Sequence, residues 1–227
     1  MKFNHQLARL KFFVRAGSES AAGYKYEASN WVERKSTDGQ DKTLGMQVTK
    51  ITLKDMVNVV DMDLATTTSA RNGASTAPFV VCSKDVDNKN KLDPDKGLIT
   101  PVVPKYPYGH ENIPAEGDPD AKGTQVGEPV MFFPNGNINL SIDLKQYVED
   151  TKDETDGDKI TYKEVEKLDT PLIIDQSKIS KDVKEFKAGA SYNVYITIYG
   201  FEKIEVTAVL TAWEDGGDIE TDIEDGK

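Results

Sequence analysis

Side chains able to act as nucleophiles, general bases or soft metal ligands are scarce in this chain. It holds two histidines, His5 and His110, and one cysteine, Cys82. A Cys-His pair would have to join Cys82 to one of the two. Cys82 closes the apolar run Phe79-Val80-Val81-Cys82, a place where a thiol serves as a small hydrophobe. One cysteine also excludes a disulfide within the chain and any multi-cysteine metal centre. Carboxylates are abundant, with 39 Asp and Glu, but a glycosidase pair is defined by its spacing in the fold. No Gly-x-Ser-x-Gly elbow, P-loop or dinucleotide fingerprint is present. These residues point away from catalysis, and no cofactor is expected.

Three segments remain as candidates for binding. Asp85-Val86-Asp87-Asn88-Lys89-Asn90-Lys91-Leu92-Asp93 opens like a calcium loop, with oxygen side chains at its first and third positions. Lys89 then stands at the fifth position, and Asn90 where the turn needs glycine. Lys84, Lys89 and Lys91 would repel a cation, so a solvated loop and no tight calcium or zinc site are expected. Tyr106-Pro107-Tyr108-Gly109-His110 concentrates rings in a proline-rich stretch. Tyr106, Tyr108 and His110 are candidate contacts for a glycan or a protein, against the plainer reading that the rings pack the loop onto a sheet. Finally, Asp218 to Glu224 alternates Ile219, Thr221 and Ile223 with Glu220, Asp222 and Glu224. Such a segment could add as a strand to a sheet edge. Two isoleucines bury little area against the cost of ordering seven residues, so a peripheral tail on a monomeric domain is expected.

The elements that must carry these segments are strands. Ile138, Leu140, Ile142 and Leu144 alternate with Asn139, Ser141, Asp143 and Lys145. Tyr192, Val194, Ile196 and Ile198 alternate with Asn193, Tyr195, Thr197 and Tyr199. After Gly200 the pattern resumes in Ile204, Val206, Ala208 and Leu210. Two alternating runs joined by a short glycine-containing segment predict a β-hairpin, with Ile196 and Leu210 on its buried face. Weaker strand patterns occur at Leu10–Val14, Met46–Leu53, Val57–Leu64, Phe79–Cys82, Val130–Phe133 and Leu172–Ile174. Asp158–Leu168 fits a short helix or a strand. Polar stretches at 66–77, 84–98, 101–129 and 149–158 read as loops, with Gly189 and Gly200 marking turns. No sustained 3.6-residue periodicity appears, nor any internal repeat.

Hairpin-connected strands with one apolar face each predict an all-β fold, two antiparallel sheets packed face to face in a β-sandwich with long polar loops; a closed barrel is the alternative. One domain is expected over 1–214, with loop insertions near 84–129 and 149–170, followed by an acidic tail at 215–227. The 227 residues carry a net charge of -11. That balance argues against nucleic acid and anionic membrane surfaces as partners. No apolar run reaches the length of a membrane span, and no apolar segment of a signal peptide follows Lys2.

Four segments resemble a known family. Phe3-Asn4-His5-Gln6-Leu7-Ala8-Arg9-Leu10-Lys11-Phe12 is similar to the "F-x-H-x-L-A-x-L-x-F" strand of Bacteroides-type fimbrillin-like proteins, and Ile51-Thr52-Leu53 to the strand that follows. Phe186 to Ile198 resembles their "F-x-x-G-x-x-Y-x-Y-x-I-x-I" strand, and Ile204 to Gly217 their closing pattern around Trp213. The resemblance implies the C-terminal domain of a type V pilin or related cell-surface adhesion protein, with a transthyretin-like Greek-key sandwich. It implies a place at the outer membrane or in a fimbrium. Other pilus subunits or a host or bacterial surface receptor would be its partners, and a glycan is a further candidate. Packing roles are expected for both motif residues, His5 near a sheet end and Trp213 over the edge of the core.

Overall fold

A computed structural model of the chain describes residues 6–57, 60–63, 68–71, 76–83, 101–113, 123–134, 136–153, 159–179 and 184–211. His5, Trp213, the 84–98 loop and the tail with Ile219, Thr221 and Ile223 lie outside these residues.

Strand is the dominant structure of the described residues, beside one short 3-10 turn at Gln176–Lys178. In order, the chain forms β1 (Ala8–Ala16), β2 (Tyr24–Glu27), β3 (Asn30–Glu33), β4 (Gln47–Val57), β5 (Val60–Asp63), β6 (Thr68–Arg71), β7 (Thr76–Ser83) and β8 (Thr124–Phe132). Then follow β9 (Ile138–Asp153), β10 (Lys159–Ile174), β11 (Ser191–Gly200) and β12 (Lys203–Thr211). Two four-stranded sheets, β12-β11-β1-β8 and β10-β9-β4-β7, make the layers, while β2-β3 and β5-β6 are small separate hairpins. One core joins the two inner faces: Leu10, Phe12 and Ile196 from the first sheet, Ile51, Leu140 and Ile142 from the second. The sandwich therefore follows from the alternation, because each sheet can bury its apolar face only against the other.

The long alternating runs behave as their sequence demands. Ile138, Leu140, Ile142 and Leu144 are buried, as are Tyr192, Val194, Ile196 and Ile198. Full burial of an aliphatic side chain of this size stabilises by roughly 1.5–3 kcal/mol. In β1 every second residue, from Ala8 to Ala16, is buried. Cys82 is buried too, and desolvation pushes its thiol up to about 12.

Several expectations are corrected. Leu210 shares its face with Tyr192, its partner across the β11–β12 ladder, yet it is 43% exposed. β12 is the outermost strand of its sheet, where the opposite sheet covers less of the inward face. The pairing is not purely antiparallel, since β1 and β11 run parallel. Three stretches read as loops contain strand: β6 and the start of β7 within 66–77, the start of β8 within 101–129 and the end of β9 within 149–158. The expected insertion at 149–170 is mostly the β9–β10 pair, and Asp158–Leu168 is strand from Lys159 rather than helix. Its half-apolar residues, Ile160, Tyr162 and Val165, suit an edge strand. In β8, Gly127 has φ +66, and a Cβ there would fall 2.5 Å from the Val81 carbonyl oxygen; the register with β1 shifts at this bulge. Gly189 lies in a turn at φ +73, whereas Gly200 ends β11 and the turn itself is Phe201-Glu202.

Candidate functional site

The rings singled out in the sequence lie at the end of the sandwich where β1 and β11 finish and β4 begins. There the 101–113 segment crosses beside the β2–β3 hairpin. Backbone hydrogen bonds fix the crossing: Gly23 N–H donates to Pro104 O (2.9 Å), Tyr24 N–H to Lys105 O (3.0 Å) and Tyr108 N–H to Ala16 O (2.7 Å). Val48 and Val102 exchange bonds of 2.8 and 3.0 Å. The backbones at Gly23 and Gly45 pass so closely that a Cβ on Gly45 would sit 2.8 Å from the Gly23 Cα. Only glycine permits that approach.

Tyr106 and His110 are brought together, and they meet three rings from the hairpin. Trp31 is the centre. Its ring centroid is 4.9 Å from Tyr106, 5.0 Å from His110 and 5.1 Å from Tyr26. Tyr24 packs on Tyr106 at 5.5 Å, and Tyr26 on His110 at 5.4 Å. All five are half-buried, and their tilted or edge-on geometries are those aromatic quadrupoles prefer. The Trp31 Nε1–H donates to Asn112 O at 2.8 Å. The Asn112 N–H in turn donates to His110 Nδ1 at 3.1 Å, so that nitrogen acts as an acceptor and the ring orientation is set. The exposed Lys105, Glu111 and Asn112 flank the rings in sequence, whereas Lys25, paired with Glu27 at 2.7 Å, alternates with Tyr24 and Tyr26 and so takes the other face of the hairpin.

Tyr108 goes elsewhere. It is 52% exposed and lies against Arg15, whose guanidinium carbon is 4.2 Å from the Tyr108 ring centroid and 3.4 Å from that of Tyr195. Tyr195 also stacks on Phe13 at 5.3 Å. The motif thus splits at a turn: His110 N–H donates to Pro107 O at 3.3 Å and Gly109 is left-handed (φ 84), so the chain reverses between Tyr106 and His110 and carries the Tyr108 ring away.

The hairpin is anchored by one residue. Arg34 Nη1 donates to Ser20 O (2.8 Å), Glu19 O (3.0 Å) and Ala22 O (3.0 Å), with Leu44 O at 3.4 Å. Gln146 Nε2 reaches Leu44 O and Ser20 O from β9. Burial lowers the Arg34 pKa from its ordinary value, opposed by the nearby Glu19 charge. At the other end of the hairpin, Ala28 (φ 47) and Ser29 (φ 66) form a two-residue turn with both residues left-handed. That is the type I′ geometry a tight hairpin needs, made here without the usual asparagine or glycine.

Sequence reasoning missed Tyr24, Tyr26 and Trp31. A signal existed, since Tyr24 and Tyr26 alternate on a short strand with Trp31 just beyond the turn. Nothing local linked them to Tyr106. At the opposite end of the sandwich a hollow of about 320 Å³ is lined by Met56, Val57, Phe132, Phe133 and Ile138, with Asn139 Nδ2 donating to Asp55 Oδ2 at 3.1 Å. Among the described residues no cluster of His, Cys, Asp and Glu could hold a metal ion, and no helix is long and apolar enough to cross a membrane.

No protein-family model matches the chain, and no curated protein matches it. Among solved structures it is similar to a candidate cell adhesion protein from Bacteroides uniformis ATCC 8492. The TM-score is 0.41 and the identity 13%, over 92% of this chain and 51% of that one. The chain spans about half the length of that protein.

Proposed function

We propose that the chain is a non-enzymatic cell-surface adhesion protein of the fimbrillin-like kind, either a pilus subunit or an adhesin. It would work at the outer membrane or in a fimbrium, with other pilus subunits or a host or bacterial surface receptor as partner. One observation carries the reading. The described parts of the segments that resemble the family supply strands to the two packed sheets: β12, β11 and β1 lie in succession in one, and β4 lies in the other. The test is retention of beads coated with the full chain on epithelial cells and on bacterial lawns, beside beads coated with heat-unfolded chain. Retention specific to the folded protein is expected. Equal retention of both bead types removes the adhesion reading, and hydrolytic turnover of surface polymers by the purified chain removes the non-enzymatic one.

A second reading, a surface glycan-binding module, is favoured by the half-buried ring cluster around Trp31.

A further inference from the structure

We infer that the cluster of Trp31, Tyr24, Tyr26, Tyr106 and His110 is a binding site for neutral carbohydrate. The inference rests on the adhesion reading and gives it a contact chemistry. Five rings from two segments meet at one end of the sandwich, yet each keeps part of its surface in water. A core cluster would bury them, as Phe132, Phe186 and Tyr192 are buried elsewhere in this molecule. Here the rings are held still while still accessible. Rigid aromatic surface of this kind gives contact area at low entropic cost.

The chemistry around the rings selects the ligand. The indole N–H of Trp31 is already committed to Asn112 O. It is therefore not on offer to a peptide carbonyl, the grip by which aromatic grooves hold proline-rich segments. A sugar makes a different demand. The C–H face of a pyranose lies on a ring, and its hydroxyls bond to polar groups at the ring edges. The exposed Glu111 and Asn112, which follow His110 directly, supply such polar groups. The charged side chains beside the cluster choose among sugars: they are of both signs, Lys105 and Glu111, so they set up no field that favours an anionic sugar, and a neutral glycan suits them.

Trp31 can report its own occupancy. The chain has two tryptophans, so in a Trp213→Phe background the fluorescence comes from Trp31 alone. The full chain in that background is titrated with oligomers of β-linked glucose, mannose, xylose and N-acetylglucosamine, with a sialylated oligosaccharide and a proline-rich peptide alongside. A saturable change with at least one neutral oligomer is expected. Affinity should fall at least tenfold in Tyr106→Ala, stay largely intact in Tyr106→Phe, and stay unchanged in Tyr108→Ala, whose ring faces Arg15. An unchanged melting temperature guards against unfolding in Tyr106→Ala. If no neutral oligomer binds up to millimolar concentration, or the peptide or the sialylated sugar binds instead, the inference is overturned. Specific bead retention that survives in Tyr106→Ala, with no sugar bound, would leave the adhesion reading intact and remove this site. Sugar binding that depends on Tyr106, without specific bead retention, would do the reverse.

Discussion

In the middle of the sandwich, Leu10, Phe12, Ile51, Leu140 and Ile196 lose essentially all contact with water. At the aromatic end, Trp31, Tyr26, Tyr106 and His110 keep part of theirs. The middle is ordered by burial, so its residues need only be apolar, of suitable size and on the correct face. The aromatic end cannot rely on burial to the same degree. Its order comes from backbone bonds between the hairpin and the 101–113 segment, and from the Arg34 guanidinium gathering carbonyls of the Glu19–Ala22 loop and Leu44. Order obtained in this way leaves apolar surface available for contact. Buried order leaves none.

The largest effects should separate the two regions. Ile196→Ala should cost ~2–5 kcal/mol in a denaturant titration, whereas Leu210→Ala, on the same face but at an uncovered edge, should cost about 1 kcal/mol or less. Equal costs would show that burial does not divide the molecule as described. Next, Arg34→Met should leave the part-buried Ala22 carbonyl without its donor, while Ser20 O keeps Gln146, and cost about 1–3 kcal/mol. Amide exchange should speed up at Tyr24 and Arg34, whose N–H groups bond to Lys105 O and Gly23 O, and stay slow at Ile142. Uniform acceleration across both sheets would mean that the hairpin is no separate unit.

A smaller effect runs in the opposite direction. Replacing Ala28-Ser29 by Asn-Gly relieves two left-handed residues and should stabilise the chain by about 1 kcal/mol; a loss of stability would contradict the turn assignment. The smallest effect depends on pH and belongs to the loop between β3 and β4. There the Asp38 carboxylate accepts from Ser36 Oγ (2.6 Å), Lys42 Nζ (3.0 Å) and Gln40 N–H (3.1 Å). The Ser36 bond leads, helped by Lys42 and Gln40 and opposed by desolvation, in holding its pKa at about 2 against an ordinary 3.8. A depressed carboxylate stabilises the folded loop above its unfolded pKa and loses that contribution as the pH falls through about 2. Amide exchange at Gln40 and Lys42 should therefore rise between pH 4 and 2, and Asp38→Asn should abolish the pH dependence. A rise persisting in that variant would assign the transition to another group.

The alternating runs were legible because a strand's period of two is written in consecutive residues. Tyr192 to Ile198 and Ile138 to Leu144 each declare their buried face without reference to any partner. The burial of Cys82 was legible for a similar reason, from the apolar residues before it. The exposure of Leu210 was not, because its pattern is that of its buried neighbours and differs only in what lies opposite. Likewise the split of Tyr106 and His110 from Tyr108 depends on the turn from Pro107 to His110 and on where the hairpin lies beside it.

By itself, then, the sequence determined which residues turn inward along the long strands, and hence that two sheets must share a core. Tertiary structure decided that β1 lies parallel beside β11, that β12 stands at an edge, and that Trp31 meets Asn112 across 81 positions of chain. The physical reason is range. Alternation is fixed by the geometry of each residue's own backbone, whereas strand order and the aromatic cluster depend on which distant surfaces best exclude water and satisfy one another's hydrogen bonds.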